Sequence, residues 1–87
     1  MTTAHTIASN LGRTITDITE EDHTYPNGEH EGESINLTHT SGETVTITNI
    51  WNKDHAAITR YIWFTQTNHG TLTTEDELAE FIAESTR

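Results

Sequence analysis

Alternating apolar and polar side chains between Ser34 and Trp51 limit the fold more than any other feature of the chain. The segment reads SINLTHTSGETVTITNIW, and its second half places threonine at alternate positions. A period of two residues is typical of a β-strand with one buried face and one exposed face. A three-residue loop over 40–42, with Gly42 in the left-handed conformation, would close the segment into a hairpin.

The length of this loop determines the register of the hairpin. With three residues in the loop, Leu37 faces Val45 and Ile35 faces Ile47, so the large apolar side chains share one face. A two-residue loop would pair Leu37 with Thr46 and divide the apolar side chains between the two faces. We therefore predict the three-residue loop, with threonines on the face opposite the apolar one.

The N-terminal third predicts a short helix, a strand and a turn. Apolar residues recur at helical spacing over 4–11, a threonine can cap the start, and Gly12 follows where a helix can end in a left-handed residue. Residues 14–19 are rich in β-branched side chains and predict a strand. The segment YPNG at 25–28 predicts a turn, because proline and glycine suit its corners.

Residues 58–67, ITRYIWFTQT, predict a further strand because β-branched and aromatic types dominate. A helix over 54–68 is the alternative. In the strand, Ile58, Ile62 and Phe64 would be buried, and Tyr61 and Trp63 would point to the other face. These two aromatic side chains would then lie either under a helix or at the surface, where such residues often dominate partner binding.

The segment from Thr74 onward predicts a C-terminal helix. Thr74 and Glu77 have the spacing of a capping box, and Leu78, Phe81 and Ile82 form an apolar stripe. The whole pattern predicts one small acidic α+β domain over 1–87. We expect a single-layer antiparallel sheet of three to four strands around the hairpin 34–51, with the short N-terminal helix and the amphipathic C-terminal helix packed on it.

Acidic residues outnumber basic residues by 14 to 4, which gives a net charge of −10. Six of the acids lie in 20–33 and five in 75–84, and neither segment contains lysine or arginine. The carboxylates of the first segment should therefore repel each other. This charge argues against direct binding to nucleic acid, since phosphate contacts need cations, and it favours a basic protein partner. An acid-rich surface that serves solubility or adaptation to high salt is the alternative.

Other classes of protein receive less support from the composition. The chain has no cysteine, so we expect no disulfide and no thiolate zinc site. No run approaches the ~18 apolar residues of a membrane span. The N-terminus lacks the basic and apolar regions of a secretory signal. We therefore expect a cytoplasmic protein that binds no membrane and no cofactor.

Candidates for chemistry are few. His23 and His30 are weak candidates for metal ligands, because carboxylates surround them but no zinc-site spacing such as HExxH occurs. His39 opposite Glu43 could form an oriented base, although a cross-strand polar pair is the simpler interpretation. The chain has no nucleophile elbow and no glycine-rich phosphate loop. We therefore predict a protein that is not an enzyme.

In size, charge and lack of catalytic motifs the chain resembles small inhibitors encoded by phages and mobile elements, such as uracil-DNA glycosylase inhibitor and anti-CRISPR proteins. The resemblance implies a nucleic-acid mimic whose carboxylates, set out like phosphates, enter a basic groove of a nucleic-acid-binding enzyme or complex. The alternatives are a halophilic or acid-surfaced domain and a His/carboxylate metal-binding protein. Mimicry requires the acids on one face, whereas solvation distributes them everywhere. The residues predicted to contact a partner are Glu20, Glu21, Asp22, Glu29, Glu31, Glu33, Tyr61, Trp63, Glu75 and Asp76.

Overall fold

A five-stranded antiparallel sheet and two helices form the fold in the computed structural model, which describes residues 1–86. Each strand pairs with the next one along the chain, so the sheet is a meander in the order β1-β2-β3-β4-β5. The elements are α1 (Ala4–Asn10), β1 (Asp17–Glu20), β2 (His30–Thr38), β3 (Thr44–Trp51), β4 (Ile58–Phe64), β5 (His69–Leu72) and α2 (Glu75–Ser85).

The predicted hairpin is confirmed as the pair of β2 and β3. Leu37 pairs with Val45 and Ile35 pairs with Ile47, and all four side chains are buried. The amide of His39 donates to the carbonyl of Glu43 at 2.7 Å, which closes a three-residue loop. Gly42 has φ of 92° in that loop, a conformation that favours glycine.

Both helices pack on the apolar face of this hairpin and its neighbours, called here the helix side of the sheet. The opposite surface, called here the open face, carries no helix. The core on the helix side includes Ala4, Ile7 and Ala8 of α1, Ile35, Leu37, Val45 and Ile47 of the hairpin, Ile58 and Tyr61 of β4, and Leu78 and Ile82 of α2.

Residues 58–64 form a strand, which confirms the strand and excludes the helical alternative for this segment. Ile58 is buried as predicted, and Tyr61 and Trp63 lie on the side that the helices cover, which is one of the two predicted alternatives, but the predicted burial of Phe64 is wrong. Tyr61 is fully buried and Trp63 is half-buried on the helix side, whereas Phe64 is 47% exposed on the open face. The register explains this outcome, because Trp63 pairs with Ile47 of the buried hairpin face. An irregularity between Ile50 and Trp51 then shifts the phase and returns Ile58 to the core.

The predicted number of strands, three to four, is also wrong, because β5 is an additional strand. Its four residues pair with β4 and include only one large apolar side chain, Leu72, so they show no clear period of two. Gly70 lies directly under the indole of Trp63, where a Cβ atom would come within 2.6 Å of the indole nitrogen. Cross-strand packing therefore supports a strand that sequence pattern does not reveal.

Both helices begin at the predicted threonine caps. The Thr3 hydroxyl accepts from the amide of Thr6, and the Thr74 hydroxyl accepts from the amide of Glu77 at 3.1 Å. Gly12 follows α1 with φ of 72°. Within residues 1–86, neither helix has the length and apolar character needed to cross a membrane.

Polar contacts attach the start of α1 to the sheet and to α2. The side-chain carbonyl of Asn49 accepts from the amide of Ala4 at 2.9 Å, and the Tyr61 hydroxyl donates to the carbonyl of Thr2. The amide of Thr2 in turn donates to the carboxylate of Glu75. Burial, with a smaller contribution from the charge of Glu75, raises the pKa of Tyr61 to about 12. The phenol therefore stays a neutral donor at physiological pH.

Replacing Leu37 by alanine should lower the free energy of unfolding by about 2–5 kcal/mol, because the buried side chain leaves a cavity in the sheet core. Thr38→Ala, on the exposed neighbouring position, should change it by less than about 0.5 kcal/mol. Urea unfolding of the two variants and the parent measures both values. Equal effects of the two substitutions would show that the faces of the hairpin are assigned wrongly.

Candidate acidic interaction surface

The strand pleat divides the carboxylates of segment 20–33 between the two sides of the sheet. Glu20 pairs with Glu33, two positions from the buried Ile35, so both carboxylates lie on the helix side. Glu31 instead pairs with Ile50 on the open face. The acidic segment is therefore not one continuous surface, although its sequence suggests one.

Glu29 belongs to an internal polar network. Its carboxylate accepts from the Asn27 amide at 2.9 Å, from the Arg60 guanidinium at 2.9 Å and from the Thr59 hydroxyl at 2.7 Å. The Asn27 hydrogen bond, followed by those from Arg60 and Thr59, lowers the pKa of Glu29 from 4.5 to about 2. The expected repulsion among the carboxylates of this segment is partly offset at Glu29, because Arg60 reaches it from β4.

Glu31 fixes the same loop against the open face. The Tyr25 hydroxyl donates to its carboxylate at 2.7 Å, and this hydrogen bond is the main cause that raises the pKa of Tyr25. The Arg60 guanidinium lies 5.7 Å from the centroid of the Tyr25 ring, within the range of a cation–π contact. Glu29 and Glu31 therefore shape the loop, and they are poor candidates for contacts with a partner.

The other carboxylates of the segment are less engaged. Glu33 lies 3.5 Å from the His5 imidazole of α1. Within residues 1–86, the side chains of Glu20, Glu21 and Asp22 form no ion pair and accept no hydrogen bond, and Glu20 and Asp22 are exposed. These three carboxylates remain candidates for partner contacts, with Glu33 beside them.

The acids of α2 fall into two groups. Glu75 and Glu77 serve the helix start: Glu75 accepts from Thr2, and Glu77 accepts from the hydroxyls of Thr73 and Thr74. These hydrogen bonds lower the pKa of both carboxyl groups. Negative charge at this end of α2 is also favourable for the helix dipole.

Asp76, Glu80 and Glu84 form the second group, called here the α2 row. All three are exposed, and in the part of the chain that the structure describes none has a side-chain partner. Their spacing of four residues keeps them on one stripe of the helix, with a rise of about 6 Å between neighbours. This stripe lies roughly opposite Leu78 and Ile82, which face the core.

Apart from Asp17, which pairs with Asn36 on the open face, the exposed acids of the strands and of α2 lie on the helix side. The α2 row points away from the sheet on that side, and Glu20 and Glu33 lie at its β1–β2 margin. The open face presents mainly threonines, together with Asp17, Ile62 and Phe64, and the loop that contains Glu29 and Glu31 packs against it with its charges partly paired. Charge is therefore distributed unequally between the two sides of the molecule.

The two aromatic candidates differ in access. Tyr61 is fully buried between the sheet and α1, so its side chain is not available to a partner in the folded chain. Trp63 is half-buried and packs against Phe81 of α2, with ring centroids 4.6 Å apart. Of the two, only Trp63 remains a candidate for partner binding.

Of the two histidine candidates for metal binding, His30 has both ring nitrogens engaged within the fold. The Lys53 carbonyl lies 3.1 Å from Nε2 of His30 and can only accept, so Nε2 carries the proton and Nδ1 accepts from the Thr24 hydroxyl at 3.0 Å. The His23 ring packs edge-on against Tyr25. Over residues 1–86, no three histidine or carboxylate side chains converge as a metal site.

His39 and Glu43 are neighbours across the hairpin loop, but within residues 1–86 their side chains form no ion pair. Nδ1 of His39 instead accepts from the backbone amide of Ser41 at 3.0 Å and lies 2.8 Å from its hydroxyl. The imidazole therefore stabilises the loop, and this arrangement gives no support to an oriented base.

The α2 row contains two residues, Glu80 and Glu84, that the predicted set of contact residues omits. Their four-residue spacing from Asp76 can be read from the sequence and would have identified them. The Arg60 contact with Glu29 could not be read in this way, because 31 residues separate the two. Comparison with protein-family models, curated proteins and solved structures finds no match to this chain.

Replacing Glu29 by glutamine should reduce stability at pH 7 by about 1 kcal/mol, since the charged contacts with Arg60 and its neighbours are lost. The folded pKa of Glu29 is depressed, so its contribution is complete above about pH 4.5 and is lost as the pH falls toward 2. Unfolding free energies measured from pH 7 to pH 2 should therefore converge for parent and variant. Glu21→Gln should show no such convergence; if both variants behave alike, the network does not stabilise the loop.

Zinc should leave the melting temperature of the protein unchanged, because both ring nitrogens of His30 already have partners in the fold. A ligand that binds only the native state would raise that temperature. Thermal unfolding with and without stoichiometric zinc measures the shift, with the double variant His23→Ala/His30→Ala as the control. A rise in the parent that the double variant lacks would establish a zinc site and contradict this prediction.

Proposed function

We propose that this protein is a non-enzymatic interaction protein that binds a basic groove of a partner through carboxylates on its helix side, as a nucleic-acid mimic of the inhibitor type. The partner would be a protein whose groove normally accepts phosphates. The acidic chain would occupy that groove and exclude the nucleic acid.

The α2 row supports this proposal most directly. Asp76, Glu80 and Glu84 place three single charges at regular intervals along a helix that is held in place by its buried face. A phosphate strand presents a similar row of negative charges to lysine and arginine side chains. Glu75 and Glu77 are not part of the row. Their hydrogen bonds to threonines fix the start of α2, where the row begins.

The unequal distribution of charge also favours mimicry over solvation. An acid surface that only holds water or salt gains nothing from being concentrated on one side of the molecule. A surface that enters a groove needs its charges on the side that faces the partner. The carboxylates at the β1–β2 margin, Glu20 and Glu33 with Glu21 and Asp22 nearby, would extend the contact beyond α2.

Partner identity and groove binding are tested together. The chain is immobilised and used to capture proteins from a lysate of the source cells at low salt, with release at high salt. A captured protein that binds duplex DNA or RNA is then titrated with the free chain. Displacement of the nucleic acid at stoichiometric concentrations supports the proposal, whereas simultaneous binding of chain and nucleic acid contradicts it.

Neutralising the α2 row should slow association with this partner. The double variant Glu80→Gln/Glu84→Gln should associate roughly threefold or more slowly at low salt, because exposed interface charges act mainly on the rate of capture. Its rate should also depend less on salt concentration. Stopped-flow or surface-based kinetics over a salt series measures both effects.

Asp17→Asn/Asp54→Asn is the matched control. It raises the net charge by the same amount, and both side chains are exposed. Asp17 lies on the open face of β1, opposite Asn36, and Asp54 lies in the loop between β3 and β4. Its association rate should remain within about twofold of the parent. Equal slowing by the two double variants would mean that only total charge matters, in which case the acid-surfaced, salt-adapted domain is the better description.

A further inference from the structure

A cavity of about 280 Å³ opens on the helix side beside α2. The loop between β2 and β3, the loop between β4 and β5, and one face of α2 enclose it. Side chains that line it include Trp63, Phe81, Glu43, His39, Thr65 and Asn68. Phe81 is the α2 residue that lines the cavity, and Glu80 and Glu84 lie within one helical turn of it.

The aromatic wall of the cavity is held in place by the sheet. The indole of Trp63 packs against Phe81 with an angle of 32° between the ring planes. Its other contact is the backbone at Gly70, where a Cβ atom would lie within 2.8 Å of several indole atoms. The indole is thus fixed between Phe81 and Gly70, and the rings of Trp63 and Phe81 together form the aromatic lining of the cavity.

The polar groups of the cavity suit a cation. Glu43 contributes a carboxylate that forms no ion pair within residues 1–86, and the lining contains no lysine or arginine. The side-chain carbonyl of Asn68 adds a neutral oxygen atom that can accept a hydrogen bond, whereas the Thr65 hydroxyl is already bonded to the backbone of the β4–β5 loop. An anion would find no positive charge here, whereas a cation would meet an aromatic wall and a carboxylate.

We infer that this cavity binds the guanidinium group of an arginine side chain from the basic partner, an inference that rests on the proposed function. A planar guanidinium can stack on an aromatic ring while its edge donates two hydrogen bonds to one carboxylate. A lysine ammonium has neither a planar face to stack nor the fixed fork that makes two parallel hydrogen bonds, so it should bind more weakly. The cavity would thus anchor one arginine of the groove, and the α2 row would attract the surrounding cations.

The inference is tested without the partner, by titrating the protein with N-acetyl-arginine amide at constant ionic strength. Two-dimensional NMR follows the indole N–H of Trp63, and the indole N–H of Trp51 serves as an internal reference. The indole N–H resonance of Trp63 should change its chemical shift and reach a plateau as the arginine amide is added, whereas that of Trp51 should not move. The neutral citrulline analogue and the lysine analogue should bind at least about tenfold and threefold more weakly, respectively. Equal binding of citrulline would overturn a cation site, and equal binding of lysine would overturn guanidinium recognition.

Matched variants locate the binding groups. Glu43→Gln should weaken arginine binding at least about fivefold, whereas Asp54→Asn, which changes the same charge away from the cavity, should have less than a twofold effect. Gly70→Ala should displace the Trp63 indole and weaken binding. Gly32→Ala, which meets the Trp51 indole in the same manner outside the cavity, should not. Each variant is first checked for a folded NMR spectrum.

Equal effects of Glu43→Gln and Asp54→Asn would show that net charge alone attracts arginine and would overturn the site. The outcome can be separated from that of the proposed function. If the arginine amide does not bind but the chain still displaces nucleic acid from a captured partner, only the arginine cavity is wrong. If the amide binds as expected but no nucleic acid is displaced, the cavity stands as a guanidinium site and the mimicry proposal fails.

Discussion

Burial of a single face of the sheet is the constraint on which the rest of the structure depends. The apolar side chains of the hairpin fall on that face, and both helices must cover it to remove it from water. The opposite face carries mainly threonines and one fully buried apolar residue, Ile50. Its buried hydroxyl groups bond to each other, as in the contact between Ser34 and Thr48. The outward stripes of the helices consequently become the surface available for charge.

The carboxylates acquire different roles from their positions in this arrangement, although their residue types are the same. Glu29 and Glu31 lie where a loop must be held against the open face, and they accept hydrogen bonds from Arg60 and Tyr25. Glu75 and Glu77 lie at the start of α2 and accept from threonines. The acids of the α2 row have no such contact and keep their charge exposed, which is why this row supports the proposed binding to a basic partner most directly.

The register of one hairpin also controls features far from it. Pairing of Ile47 with Trp63 carries the buried face of β3 into β4, and pairing of Trp63 with Gly70 carries it into β5. Gly70 has no side chain, so the indole of Trp63 can lie against its backbone. The indole in turn packs on β5 at the position where a glycine alone would weaken the strand. The cavity beside α2 exists because this chain of contacts orients Trp63 toward Phe81.

Local patterns in the sequence determined the hairpin with its three-residue loop, the strand at 58–64, and both helices with their threonine caps. Each of these depends on side chains close together in the chain, whose periodicity and capping chemistry can be read directly. The i, i+4 spacing of the α2 row belongs to the same class. The tertiary structure alone decided the faces of β4, the presence of β5, the pairing of Glu29 with Arg60 and the cavity at Trp63. These features depend on a strand irregularity and on contacts between residues distant in sequence. The local pattern of apolar and polar residues does not indicate which distant side chains come into contact.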